Sequence, residues 1–180
     1  MNIEKKYGAV IAGAGVAGLF CALNPPAATK ALVLSKGALD ESDSYLAQGG
    51  ICMLRGEEDF DAYFKDTMRA GHFENDERAV EQMIRSSPEI IDDLIGFGVE
   101  FARDETGALR FTREGGHSRP RILFHDDVTG REITSKLLRE ARSRKNISFS
   151  EYTEMLDVVE EKGVCRGVVV RKDSKIFPVY

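Results

Sequence analysis

Gly13, Gly15 and Gly18 stand at the spacing Gly-x-Gly-x-x-Gly, in the run Gly13-Ala14-Gly15-Val16-Ala17-Gly18. The chemistry that this spacing offers is the binding of phosphate. The first glycine permits a tight turn, the second lets backbone approach a diphosphate, and the third lets a helix pack against a strand. Free N–H groups and the positive end of the helix dipole then face the phosphates, so a dinucleotide is the expected ligand. Other reactive side chains are sparse. Cys21, Cys52 and Cys165 are odd in number and widely separated, which speaks against a disulfide framework or a zinc site; no metal site is expected, and the three read as small buried hydrophobes. His72 and His125 read as structural. His117 follows Gly115-Gly116 and admits a catalytic reading, but the preferred one has it hold its own loop through a backbone carbonyl.

These residues need elements to position them. The apolar run Ala9-Val10-Ile11-Ala12 before the glycines and Leu19-Phe20-Cys21-Ala22-Leu23 after them read as strand, turn and helix, and Pro25-Pro26 should end that helix by Asn24. The second strand, Ala31-Leu32-Val33-Leu34, ends in Ser35-Lys36-Gly37, where a plain NAD site would want a carboxylate for the ribose. Residues 37–56 read as a loop, too polar and glycine-rich for a strand. Asp59 is placed to cap a helix with Phe60, Tyr63, Phe64, Thr67 and Met68 on one face, ending near Gly71. Two amphipathic helices follow, carrying Val80-Met83-Ile84 and Ile91-Leu94-Ile95, separated by Ser86-Ser87-Pro88. Residues 109–112 and 122–124 suggest short strands around a loop. Thr129-Gly130-Arg131-Glu132 has capping-box spacing ahead of a helix with Ile133, Leu137, Leu138 and Ala141 on one face. From Ile147 onward the text is β-rich and predicts a small antiparallel meander over 147–180. The expected fold class is α/β: a Rossmann-like parallel sheet with covering helices and that meander.

A net charge of -5 without any basic block argues against nucleic acid and against an anionic membrane surface as partners. Apolar runs fall short of a membrane span, so a cytoplasmic setting is expected. With 180 residues and 42% hydrophobic content the chain has enough for one core, read as a single domain over 1–180. Its last residues lie within a strand-like run, an ending expected of a fragment.

Four passages, taken in order, resemble a known group. They are residues 13–18; Leu34-Ser35-Lys36-Gly37; Tyr45-Leu46-Ala47-Gln48-Gly49-Gly50-Ile51; and Thr112-Arg113-Glu114-Gly115-Gly116-His117-Ser118 followed by Arg121-Ile122-Leu123 and Thr129-Gly130-Arg131-Glu132. The group is the succinate dehydrogenase and fumarate reductase flavoprotein family, with its L-aspartate oxidase branch, and the resemblance covers nearly the whole chain. It implies FAD as the cofactor, with residues 1–180 as the N-terminal portion of the FAD-binding domain and the capping and helical C-terminal domains outside it. Gly13, Ala14, Gly15, Val16, Ala17 and Gly18 would then meet the diphosphate, and Lys36 would sit near the adenosine ribose. Asp43, Ser44, Tyr45, Leu46, Ala47, Gln48, Gly49 and Gly50 would flank the flavin, the two glycines letting backbone approach a flat ring. Glu154 and Met155 match the place of the adenine contacts.

The respiratory members carry their flavin covalently on a histidine four residues before that alanine. Asp43 stands there in this chain, so the resemblance implies noncovalent FAD. Glu114 occupies the position that orients the substrate amino acid, a role suited to a carboxylate because it accepts hydrogen bonds from an ammonium group, which succinate lacks. The implied reaction is oxidation of L-aspartate to iminoaspartate with O2 or fumarate as electron acceptor, feeding quinolinate formation by a downstream quinolinate synthase and so NAD biosynthesis. The catalytic arginine would lie outside these residues, and the chain alone is expected to bind FAD weakly or not to turn over. Two alternatives stand beside this reading: a fumarate reductase or succinate dehydrogenase flavoprotein fragment, and a non-catalytic nucleotide-binding module.

Overall fold

The computed structural model describes residues 6–26 and 28–180, and these fall into two compact units, one made of the described residues up to 46 with 133–180 and the other of residues 47–132. In the first, β1 (Ala9–Ala12) pairs in parallel with β2 (Ala31–Leu34), and β2 in turn with β5 (Ile147–Ser150), giving the order β1-β2-β5. Ala9 lies opposite Ala31, and Ala31 opposite Ile147. A central strand of a parallel sheet is covered on both faces, and every residue of β2 is buried. The crossover helix α1 (Val16–Leu23) ends at Asn24, directly before Pro25-Pro26.

The antiparallel meander consists of β6 (Thr153–Glu161), β7 (Val164–Lys172) and β8 (Lys175–Val179). Lys162-Gly163 and Asp173-Ser174, all at positive φ, make its turns. Val168, Val170 and Val179 pack on Leu32 and Leu34. Residues 147–149 therefore belong to the parallel sheet and not, as their β-rich text suggests, to the meander; strand propensity does not specify a partner, and these residues follow a helix, as a crossover strand does. That helix, α5 (Thr129–Ser143), buries Ile133, Leu137, Leu138 and Ala141.

The second unit is built on α3 (Glu57–Ala70) and α4 (Glu77–Gly96), whose Tyr63, Met68, Val80 and Ile84 form a core with Leu54. Its small sheet pairs β3 (Ile51–Cys52) antiparallel to β4 (Ile122–Leu123). The expected loop over 37–56 thus contains β3 and, earlier, the four-residue helix α2 (Asp43–Leu46). Residues 109–112 make isolated bridges at Leu109 and Thr112 and no strand.

Helix α4 runs unbroken through Pro88, against the expectation of two helices. Proline cannot donate to the carbonyl four residues back, but Ser87 Oγ donates to that carbonyl, on Ile84, at 2.7 Å. Ser86 Oγ likewise donates to the Gln82 carbonyl at 2.8 Å. Ser87 Oγ also accepts the Leu54 N–H at 2.9 Å, which ties the middle of α4 to the segment ahead of α3. Asp59 does not cap α3; Gly56 holds the N-cap, and the Asp59 side chain is buried. Thr129 is no simple capping-box residue either, since its Oγ1 accepts the His125 N–H at 3.0 Å while Glu132 Oε1 accepts the Glu100 N–H at 2.9 Å.

The cysteines depart from expectation. Cys21 and Cys165 are exposed and Cys52 is half-buried. Cys21 lies about 200° around α1 from buried Leu19, and Cys165 sits near the free hairpin end of β7.

Candidate functional site

In the first unit, the turn between β1 and α1 depends on its glycines at two points. Gly13 has φ +117, a conformation that L side chains avoid. A Cβ on Gly18 would lie 2.0 Å from the Gly13 carbonyl oxygen, so helix and strand approach closer than any side chain allows. Gly15 is the N-cap of α1, and a Cβ there would stand 2.9 Å from Ser44 Oγ, which brings the phosphate-binding turn and the start of α2 together. Helix α1 opens with no side-chain cap and no acidic residue in its first turn. Its leading N–H groups, at Val16 and Ala17, have no intrahelical acceptor and point out of the turn. A cradle that side chains would fill, lined by outward N–H groups, fits a diphosphate.

Lys36, at the end of β2, and Glu154, in β6, meet as an ion pair with Nζ 3.1 Å from Oε1. Arg171 donates to the other Glu154 oxygen. Lys36 and then Arg171 hold the Glu154 carboxyl below the usual carboxylate range. Met155 stands partly exposed opposite Val170.

In the second unit the remaining passages converge. The Ala47 carbonyl accepts the Gly130 N–H at 3.0 Å. A Cβ on Gly50 would lie 2.2 Å from the Leu123 carbonyl oxygen, so β4 alone demands glycine there. Close backbone approach at Gly50 is therefore made to β4 itself. Gly49 has more room, and the nearest atom to a Cβ on it is Glu114 Oε2, at 3.9 Å. The Glu114 side chain therefore lies alongside the Gly49-Gly50 segment.

The loop that presents Glu114 rests on a buried ionic cluster. Arg121 is fully buried and donates from Nε and Nη2 to the two Asp59 oxygens at 3.0 and 2.9 Å. Its Nη1 donates to Asp66 Oδ2 at 2.8 Å. The same Asp66 oxygen accepts both the N–H and the hydroxyl of Ser118 at 2.6 Å. Burial alone would raise the Asp66 carboxyl, but the Ser118 hydrogen bonds and Arg121 outweigh it and bring the group down to about 2. Hydrogen bonding by Asp59, and then by Asp66, raises Arg121 above its ordinary value against the opposing effect of burial.

His117 departs from the expected carbonyl contact. Its Nδ1 lies 3.2 Å from Arg121 Nη1, and its Nε2 lies 3.4 Å from Cys52 Sγ. A guanidinium only donates, so Nδ1 is the acceptor and the ring proton sits on Nε2, directed at Cys52. It is His125 whose ring meets a backbone carbonyl, that of Glu100, at 2.6 Å. Behind the loop His117 and Cys52 line a cavity of about 580 Å³ whose floor includes Ile51, Met83 and Ile91. Burial pushes the Cys52 thiol up, against the opposing hydrogen bond with Tyr63.

Sequence reasoning pointed to Glu114 and did not identify the ionic cluster of Asp59, Asp66 and Arg121 behind its loop. A usable signal was present: Asp59, Tyr63 and Asp66 fall at i, i+4 and i+7, two carboxylates inside the buried stripe of α3, and buried carboxylates require a cation.

Comparison with known proteins adds the following. The family model described as an FAD binding domain matches residues 8–179. An L-aspartate oxidase of Clostridium perfringens is 39% identical over 171 residues, covering 95% of this chain and 39% of that protein. One of Clostridium acetobutylicum is 37% identical over 177 residues, covering 98% of this chain and 40% of that protein. The chain thus spans about two fifths of the length of these relatives. Escherichia coli quinol fumarate reductase FrdA superposes with a TM-score of 0.88 at 24% identity, over 96% of this chain and 31% of that one, a likeness of fold. Among the described residues, no helix is long and apolar enough to cross a membrane.

Proposed function

Because the chain belongs to the FAD binding domain family, with FAD as its cofactor, we propose that it is the FAD-binding part of an L-aspartate oxidase that takes L-aspartate to iminoaspartate. When bound, FAD supplies the two-electron oxidation, and the protein supplies position and electrostatics. In this reading residues 13–18 hold the diphosphate through backbone N–H groups, with Lys36, Glu154 and Met155 on the adenosine side. Residues 43–50 flank the flavin, which is held noncovalently because Asp43 stands where a histidine would be needed for attachment. Residues 1–180 are then the N-terminal portion of the FAD-binding domain, and the capping domain, the C-terminal helical domain and the catalytic arginine belong to other sequence. O2 or fumarate serves as acceptor, and the product feeds quinolinate formation.

The observation that carries this reading is Glu114 beside Gly49, a carboxylate held next to the segment assigned to the flavin. A carboxylate there accepts hydrogen bonds from a substrate ammonium and repels a dicarboxylate that lacks one. The two relatives named above support the same substrate. The test is a flavin difference spectrum of the FAD-loaded chain on adding L-aspartate or succinate. L-Aspartate is expected to perturb the spectrum and succinate to leave it unchanged, with the aspartate response lost in Glu114→Gln. A response to succinate that survives Glu114→Gln would overturn the reading.

A further inference from the structure

The loop over residues 112–122 is fastened on both sides of Glu114, and at Glu114 itself the backbone carbonyl accepts the His117 N–H at 3.3 Å. At its base Thr112 and Ile122 exchange N–H···O bonds of 2.9 and 3.1 Å. Arg121, next to that base, is locked between Asp59 and Asp66. On the far arm, Ser118 is bound to Asp66 through both its N–H and its hydroxyl, and His117 meets Arg121. Arg69, itself paired with Asp66 at 2.9 Å, reaches the Gly116 carbonyl at 3.4 Å. Gly115, by contrast, has open space around its Cβ position, and Gly116 has φ +88, so the two glycines next to Glu114 impose little themselves. The side chain beside Gly49 is thus placed by the contacts of its loop, and those of Ser118, Arg121 and Arg69 converge on the Asp66 carboxylate, while Arg119 meets Asp59 and the Glu58 carbonyl.

We propose that Asp66 is the positioning residue for Glu114: through Ser118, and through Arg121 and His117, it clamps the loop so that the Glu114 carboxylate stays beside Gly49, and the same Arg121 contact keeps the His117 proton on Nε2. This rests on the reading of Glu114 as the group that meets a substrate ammonium. Asp59 anchors Arg121 from the other side and meets Arg119 at 3.7 Å, so it holds the loop close to its base, and Asp66 reaches further toward the tip through Ser118.

The test uses the whole chain with three substitutions. Asp66→Asn removes the charge, Ser118→Ala removes one contact from an exposed residue that leaves the core untouched, and Ser118→Thr restores the hydroxyl. Amide hydrogen exchange of residues 114–118 is expected to quicken roughly tenfold or more in Asp66→Asn and severalfold in Ser118→Ala, and to stay near wild type in Ser118→Thr, since hydrogen bonds to charged groups are the strong ones. The ¹⁵N signals of His117 should report the Nε2–H form in the wild type and lose it in Asp66→Asn. L-Aspartate affinity of the FAD-loaded chain should fall in the same order while FAD affinity holds. Unchanged exchange in both Asp66→Asn and Ser118→Ala would overturn the proposal. If instead exchange responds as expected but Glu114→Gln leaves aspartate binding intact, the clamp stands and the role given to Glu114 fails.

Discussion

Arg121 Nη1 donates to Asp66 Oδ2 at 2.8 Å, with the arginine fully buried and the aspartate nearly so. Removing one member of a buried ion pair leaves an uncompensated charge, which costs about 3–5 kcal/mol. Arg121→Met strands two carboxylates, Asp59 and Asp66, and is expected to lower the unfolding free energy by at least that range in urea titrations. Replacing all three residues with apolar ones should recover much of the loss, because the triad must overcome its own desolvation.

The same pair makes stability depend on pH in acid. The Asp66 carboxyl is brought down to about 2 in the folded chain, from an ordinary value of 3.8. A depressed carboxylate contributes stability that is present above the unfolded value and lost as pH falls through the folded one. The contribution is about 2 kcal/mol, fully present above about pH 5 and gone below pH 2. Urea midpoints measured between pH 5 and pH 2.5 should fall for the wild type and fall less for Asp66→Asn.

Ser87 carries a load that its place before a proline conceals. Its hydroxyl serves the Ile84 carbonyl that Pro88 cannot reach and also accepts the Leu54 N–H. Ser87→Ala leaves both backbone groups buried without these partners and should cost about 1–3 kcal/mol. Ser86→Ala, at a half-buried site whose carbonyl partner keeps its place in the helix, should cost less, about half a kcal/mol. Denaturant unfolding of the two variants separates them.

These cases also mark what the sequence could and could not reveal. The βαβ start was legible because glycine spacing, flanking apolar runs and Pro25-Pro26 each act locally, and β1, α1 and β2 stand where those signals put them. The resemblance of its passage pointed to Glu114, whose side chain the structure sets beside Gly49. Pairing was not legible: residues 147–149 read as strand, but only packing chooses the parallel sheet. The break at Ser86-Ser87-Pro88 misled because a hydroxyl can replace the missing donor, and neither propensity nor proline rules contain that substitution. Asp59 looked like a cap because acidic residues suit helix starts, while its partner lies 62 positions later in the chain. Long-range ionic pairing leaves only the indirect trace of carboxylates within an apolar stripe.

The glycines of the phosphate-binding turn should separate by what each Cβ would strike. Gly18→Ala drives a methyl into the Gly13 carbonyl, a rigid backbone atom, and should cost about 3 kcal/mol and abolish FAD binding. Gly15→Ala meets only the movable Ser44 hydroxyl, so the fold should survive while FAD affinity falls at least about tenfold, since the backbone can no longer come as close to a phosphate. Thermal unfolding and FAD titration of both variants check the contrast.

The most direct measurement is an FAD titration of the wild-type chain followed by flavin absorbance and fluorescence, because every role assigned to residues 13–18, 36 and 43–50 presumes that these residues hold the cofactor. Saturable binding with a shifted flavin spectrum, weakened in Gly15→Ala, is the predicted result. A flavin spectrum that stays that of free FAD at every concentration would contradict it.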